Sequence, residues 1–365
     1  MGNQMGNQNT LSSPQQGTIA GDSPAATLEM AAPQVEGLRK IYSALGDNAS
    51  KDIYAHRLLY SLLGRKESMT KIIYDYNPDS PLWRAEKICF YGAGKGANWL
   101  ICANANIRFV VDKHKTGVIE GIPIISLDTF LQLPDCKEYL LICTQGDDLL
   151  PEIEAELDSL GLQHLSVYRD INPRHFNQIQ YFDLPHLNLE KQREYFVDAG
   201  ALDGETTKHF FRCCEQGHAY VFEPNPNQLD TIKEQLQAYG DQVEVFSAAL
   251  YDENTTLFFD NDVDKSNALI SETGKIKVQA CRLDDVLARR KVTFIKMDIE
   301  GAELAALRGA ERIIREQRPK LAICIYHKPE DMWEIPSLIL QYNPSYKLYL
   351  RHYSITDSET VLYAI

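Results

Sequence analysis

The sequence has no pair of cysteines in C-x-x-C spacing. Its eight cysteines are scattered, and several lie inside apolar runs such as KICFYG, YLLICT and LAICIY, where Cys behaves as a small hydrophobe. Zinc held by paired cysteines is therefore not expected, and a reduced, cytoplasmic protein is. There is no excess of positive charge either. Over 365 residues, 37 Lys and Arg face 51 Asp and Glu, for a net charge of −14. A nucleic-acid surface needs a basic patch or stripe, so neither nucleic acid nor an anionic membrane is an expected partner. No apolar run reaches the length that spans a bilayer. The N-terminus lacks the charged-then-apolar pattern of a signal peptide. Residues 1–33 are poor in aromatics and rich in Gln, Asn, Ser, Pro and Gly. Such a composition cannot bury enough surface to order itself, so a disordered tail is expected there.

What is present is enough apolar sequence, 44% of the residues, for more than one core. Residues 34–84 read as a helical segment. In KDIYAHRLLYSLLG, Ile53, Tyr54, Leu58, Leu59, Leu62 and Leu63 recur at helical spacing. Asn48 or Ser50 is the expected cap, Gly64 the expected stop, and NPDSP a break. From Lys87 strands alternate with helices, which implies a parallel sheet covered on both faces. A small Rossmann-like α/β domain is expected over 85–172, with strands at KICFY, IRFVVDK, IPII, YLLICT and LSVYRD. A second series fills 173–365. Its strands are EYFVDAG, HAYVFEP, VEVFSAAL, VTFIKMDIEG and LAICIYH, and KLYLRHYS and TVLYAI form a closing antiparallel pair. The fold class is thus α/β, a doubly wound sheet with a terminal antiparallel hairpin, preceded by the smaller domain.

In such sheets ligands bind beyond the carboxyl ends of the strands. The first strand of the large domain ends in VDAGALDGET, where Gly200 permits close approach to a ligand and Gly204 a tight helix start. Glu223, in FEPNPNQ, follows Asp198 at the distance at which a βαβ unit sets an acid on a ribose diol. Asn225 or Asn227 can cap the helix that follows. A phosphate would be repelled by Asp198 and Asp203. An acidic loop suits a ligand with an amino group and a sulfonium, S-adenosylmethionine.

VDAGALDGET, FEPNP, IKMDIEGAE, IYH and WEIP together resemble the FkbM family of S-adenosylmethionine-dependent methyltransferases. The resemblance covers roughly residues 175–365. It implies a class I methyltransferase fold and, usually, O-methylation of a hydroxyl on a sugar, glycan or natural product. Carried over by position, it implies cofactor roles for Asp198, Gly200, Ala201, Asp203, Gly204, Glu223 and Asn225, with Ser247 and Ala248 beside the adenine.

Methyl transfer to a hydroxyl needs the reactants held in line and a base near the acceptor oxygen. Asp298, Glu300 and His327 are the candidates, and they are also an oxygen-and-imidazole set for a divalent metal. Strand alternation sets Lys296, Asp298 and Glu300 on one face, so that either acid can pair with the buried Lys296. A structural ion cluster is the alternative for these three. Lys296, Tyr326, Trp333, His352 and Tyr353 are candidate acceptor-pocket residues. QYFD at 180–183 is placed to fold over the cofactor.

YGAGKGA supplies a second glycine turn. Gly92, Gly94 and Lys95, with Asp112 about twenty residues on, read as a nucleotide site. FYGAGKGA, VVDK and the stretch Gly117 to Ile124 resemble the nucleotide-sugar-binding N-terminal domains of some sugar acetyltransferases. Two other functions remain open on the sequence, a nicotinamide-dependent oxidoreductase built on this turn and a non-catalytic nucleotide-binding module. Homo-oligomerisation is compatible with all three.

Overall fold

The computed structural model describes residues 35–146, 149–171, 180–182, 184–189, 194–259, 270–271 and 276–365. The expected tail and the boundary near residue 172 lie outside them. A helix over 35–44 is followed by the helices Asn48–Leu63 and Lys66–Tyr76. The first of these two is capped by Asp47, whose carboxylate accepts from the Ser50 N–H at 2.7 Å, rather than by Asn48 or Ser50. Asp47 has the extended backbone that an N-cap requires, and Asn48 and Ser50 are already inside the helix. Gly64 ends the helix in the left-handed conformation, as expected.

The small domain is a six-stranded sheet of β1 (Ile88–Tyr91), β2 (Val110–Val111), β3 (Gly117–Ile119), β4 (Ile122–Ile125), β5 (Leu140–Cys143) and β6 (Gln163–Ser166). Its spatial order is β3-β4-β2-β1-β5-β6, and every neighbouring pair is parallel except β3 with β4. LSVYRD is a strand only as far as Ser166. The chain then turns into a helical coil over Val167–Ile171, tied by the Ser166 N–H donating to Asp170 at 2.7 Å.

In the large domain β7 (Tyr195–Ala199), β8 (His218–Phe222) and β9 (Val243–Phe246) are followed by β10 (Ala249–Leu250), β11 (Thr255–Phe259), β12 (Ile270–Ser271) and β13 (Ile276–Cys281). Then come β14 (Phe294–Met297), β15 (Lys320–Cys324), β16 (Leu348–His352) and β17 (Thr360–Ala364). The main sheet has seven strands in the order β16-β17-β15-β14-β7-β8-β9. Five neighbouring strands are parallel, and β17 runs antiparallel between β15 and β16. This is the doubly wound sheet with a terminal hairpin that the sequence implies. VEVFSAAL is not one strand. It breaks at Ser247 and Ala248, and β10 joins a separate small sheet with β13, β11 and β12. The stretch GAELAALRGAERIIREQ is two helices, Glu303–Arg308 and Glu311–Gln317. At Gly309 a Cβ would stand 1.9 Å from the Tyr251 carbonyl oxygen, so the helix junction is pressed against backbone.

The helical segment is not a separate layer. Ile41, Leu45, Ile53, Met69 and Ile72 share one core with strand residues of the large sheet. Leu45 forms a parallel bridge to Leu348, and the Ser50 hydroxyl accepts the Leu350 N–H at 2.9 Å. Ile73, one residue beyond Ile72, lies in the core of the small domain instead, as does Ile355 from the β16–β17 connection. The helix Lys66–Tyr76 is therefore a wedge between two cores.

Candidate active site

The order of the main sheet reverses between β7 and β14, so a crevice opens where their loops diverge. The two loops touch there. At Gly200, whose φ is 77°, a Cβ would stand 1.9 Å from the Asp298 carbonyl oxygen. Only a glycine fits such contact together with that φ. Leu202, with φ 54°, and Gly204, with φ 90°, complete a tightly wound turn into the helix Glu205–Cys213. Glu223 lies just beyond β8, buried against this turn. Its two carboxylate oxygens accept the N–H groups of Leu202 at 3.0 Å and Asn225 at 2.8 Å. Burial raises its pKa, against the pull of these backbone donors. Asn225 caps the helix Pro226–Leu236 through the Asn227 N–H. Asp203 accepts the Glu205 N–H at 3.0 Å. Ser247 is exposed and Ala248 half-buried in the turn after β9, at the same edge of the sheet.

Two residues assigned to ligands have another task. Lys296 and Asp198 are buried together, with Nζ 3.0 Å from Asp198 Oδ1. Nζ also donates to the carbonyls of Gly200 at 2.7 Å and Ala199 at 3.2 Å. The second Asp198 oxygen accepts the Thr207 hydroxyl at 2.7 Å. Burial opposes the charge on Lys296, but Asp198 and then Asp298 outweigh it and hold the ammonium above its ordinary value. The pair is a strut beneath the glycine turn. The expected alternation also fails past Met297. β14 ends there, and Glu300 and Gly301 take φ values of 55° and 93°. Lys296 consequently finds its partner across the sheet on β7 rather than in Asp298 or Glu300.

Beyond β14 and β15 the acids converge on His327. Its Nε2 is 3.5 Å from Asp298 and 3.4 Å from Glu300, and its Nδ1 is 3.0 Å from Glu303. Burial alone would lower the imidazole pKa. Glu303, Asp298 and Glu300 outweigh it and push it up to about 9. Burial pushes Glu300 up to about 7, against the pull of His327. Asp331, buried at the start of the helix Asp331–Tyr342, is likewise pushed up to about 7, by burial and then by Glu303. Asp298 is held by two phenols, Tyr181 at 2.9 Å and Tyr326 at 3.0 Å. Asp298, Glu300 and His327 are thus brought together as the sequence implies, but Glu303 belongs with them. Its signal was a Glu in the first turn after Gly301, which reads equally well as a helix-start acid. Tyr181, from QYFD, reaches under Asp298, and its ring lies 5.4 Å from Lys296 Nζ. Phe182 packs instead on Phe196 and Phe294. Asp183 lies outside the described residues.

The expected aromatic acceptor face does not assemble. Tyr326 reaches the cluster. Trp333 packs against the core on the opposite side of the main sheet from the one Tyr326 joins. His352 is buried on β16 with Nδ1 2.8 Å from the Thr360 hydroxyl, and the Tyr353 hydroxyl is 2.6 Å from that of Tyr363. These side chains hold the terminal hairpin together. The small-domain turn is also closed on itself. Asp112 accepts the N–H groups of Ala93, His114 and Lys115 at 2.7–2.8 Å, which pins the acid assigned to a ribose against its own turn. At Gly92 the φ of 100° favours glycine, and a Cβ there would push aside the end of the Gln145 side chain. Gly94 and Lys95 begin a helix of six residues, Lys95–Leu100. Among the described residues, no helix is long and apolar enough to cross a membrane.

Residues 198–350 match the family model described as the methyltransferase FkbM domain. The resemblance read from the motifs is borne out over that stretch. Among curated proteins, Methyltransferase 1 of Beauveria bassiana (strain ARSEF 2860) is 26% identical over 145 residues, which cover 32% of this chain and 58% of the relative. The match thus spans little more than half of that relative. Among solved structures, methyltransferase FkbM from Methylobacillus flagellatus KT is 21% identical, with 84% of this chain and 100% of that one covered and a TM-score of 0.48. Aeropyrum pernix fibrillarin, solved with natively bound S-adenosyl-L-methionine, is 11% identical over 50% of this chain and 70% of its own, with a TM-score of 0.33.

Proposed function

We propose that the chain transfers a methyl group from S-adenosylmethionine to a hydroxyl of a small molecule or glycan, such as a sugar or natural product. The observation that carries this reading is Glu223. It is an acid buried at the end of β8, fixed by two backbone N–H groups against the glycine turn of Gly200–Gly204. A carboxylate so placed accepts from a ribose diol. At the turn beside it, Gly200 packs against the Asp298 carbonyl too closely for a side chain. On the other side of the crevice, Asp298, Glu300 and His327 face the position of an acceptor. A sugar hydroxyl is a weak nucleophile at neutral pH, and a neighbouring group that takes its proton as the carbon–oxygen bond forms lowers the barrier. Glu300, pushed up to about 7 by burial, offers that group, while His327 is held charged at neutral pH by the acids around it, and the strut of Lys296 and Asp198 holds the two loops in register.

The test is calorimetric titration with S-adenosylhomocysteine. Wild type is expected to bind one equivalent. Glu223→Ala loses a charge-assisted hydrogen bond of about 1.5–3 kcal/mol and is expected to bind roughly 10- to 150-fold more weakly. A Glu223→Ala protein that keeps its fold and binds normally would remove the ribose assignment.

A further inference from the structure

We infer that Asp298, Glu303 and His327 form a site for a single divalent first-row cation of the Mn2+ class. One ligand atom from each of the three lies within 4.8 Å of the other two. Three donors spread evenly around one ion with bonds of about 2.0–2.2 Å stand about 3.8 Å apart at most, so the three need to draw in by up to about 1 Å. A group of acids alone would not indicate a cation. Here a buried polar atom is also left over. Glu303 is fully buried, and its Oε1 accepts the Ile299 N–H at 2.8 Å, while its Oε2 has no hydrogen-bond partner among the described residues. The His327 side chain is 10% exposed and lies between the acids, with Nδ1 3.0 Å from Glu303 and Nε2 3.5 Å from Asp298. Unpaired polar atoms at such depth are costly unless something else meets them.

The surroundings have the form of a ligand set held from outside. Metal-bound carboxylates are oriented by outer hydrogen bonds, and the two Asp298 oxygens take one phenol each, from Tyr181 and Tyr326. The turn that brings Glu303 back beneath Asp298 is made by two successive positive-φ residues, Glu300 and Gly301. Such backbone persists where the surrounding structure over-determines it. Two carboxylates with one imidazole suit Mn2+ better than Mg2+, which prefers oxygen alone, or Zn2+, which prefers more nitrogen or sulfur. The set differs from the one the sequence suggested, because Glu303 replaces Glu300. Glu300 lies at the more exposed side of the cluster and is free to meet an acceptor.

The use of such an ion rests on the methyltransferase reading. An acceptor hydroxyl bound to it would lose its proton more readily. The binding itself does not rest on that reading. The 365-residue chain, stripped with EDTA and exchanged into metal-free buffer, is titrated with MnCl2 alone and followed by calorimetry and by loss of the free Mn2+ electron paramagnetic resonance signal. One equivalent bound in the micromolar range is expected. Glu303→Gln is expected to weaken it tenfold or more. Tyr181→Phe removes no ligand and little volume, and is expected to weaken it by about 10- to 100-fold through the orientation of Asp298. No saturable Mn2+ binding by wild type up to millimolar concentration overturns the site and leaves an ion cluster of the protein's own groups. Binding that is unchanged in both variants overturns the assignment to these residues. S-adenosylhomocysteine titrated into the stripped protein reports the cofactor reading separately, so the failure of either is distinguishable.

Discussion

Replacing Lys296 by methionine tests whether the glycine turn rests on a buried ion pair. In the wild type Nζ is 3.0 Å from Asp198 Oδ1, and the two side chains are 2% and 0% exposed. At that distance two unit charges attract by about 5–6 kcal/mol in an effective dielectric of 20. Desolvation offsets most of this in the intact pair, but not when one partner is removed. A buried charge left alone costs about 3–5 kcal/mol. Lys296→Met and Asp198→Asn are each expected to destabilise by about that amount. The double variant leaves no orphaned charge, so it is expected to cost about as much as one single change, with a coupling energy of at least about 2 kcal/mol. Urea unfolding followed by circular dichroism and by intrinsic fluorescence measures all four proteins, and agreement between the probes shows whether one transition describes them. Lys296 also donates to the Gly200 carbonyl at 2.7 Å. Any Lys296→Met protein that stays folded should therefore bind S-adenosylhomocysteine more weakly. Singles that cost under about 1 kcal/mol and simply add would refute the reasoning, because they would mean both charges are solvated.

Gly200→Ala is expected to abolish S-adenosylhomocysteine binding, since its Cβ would enter the Asp298 carbonyl at 1.9 Å with φ at 77°; calorimetry showing normal affinity would mean the loops separate at no cost. Ile355 belongs in sequence to the terminal hairpin but lies in the small-domain core. Ile355→Ala should therefore cost about 2–5 kcal/mol, and limited proteolysis should show the strands Ile88–Tyr91 and Leu140–Cys143 more readily cut. A stability dependence on pH follows from the His327 cluster. Glu300 and Asp331 are pushed up to about 7 from 4.5 and 3.8, and His327 to about 9 from 6.5. In all three the folded state binds more protons than the unfolded chain, so these groups make stability fall as pH rises from about 4 to about 9, the His327 part between about 6.5 and 9. Thermal melts in metal-free buffer between pH 5 and 9 should show that slope, and a variant carrying Glu300→Gln, Asp331→Asn and His327→Asn should show a smaller one. Equal slopes would contradict it.

Much of the fold is legible in local pattern. Alternating strands and helices, glycine turns after apolar runs and a closing pair of strands define the main sheet, and the loops VDAGALDGET, FEPNP and MDIEGAE lie at its carboxyl edge. The reason is physical. A strand's burial, a helix's period and a glycine's positive φ are each written in a few consecutive residues, and a parallel sheet then puts every β-to-α loop on one side. The sequence by itself thus determined the sheet, the position of Glu223 beside the glycine turn, and the convergence of Asp298, Glu300 and His327. The tertiary structure decided what each charge does. Lys296 meets Asp198 across nearly a hundred residues, Glu303 turns inward because Glu300 and Gly301 leave the strand conformation, Tyr181 reaches under Asp298, and His352 and Trp333 are drawn into packing. The helical segment lies on β16 through Leu45 and Ser50, three hundred residues away in sequence. No local periodicity encodes these partners, because the energy of a buried charge depends on which group faces it, and that is fixed only when distant strands and loops are brought together.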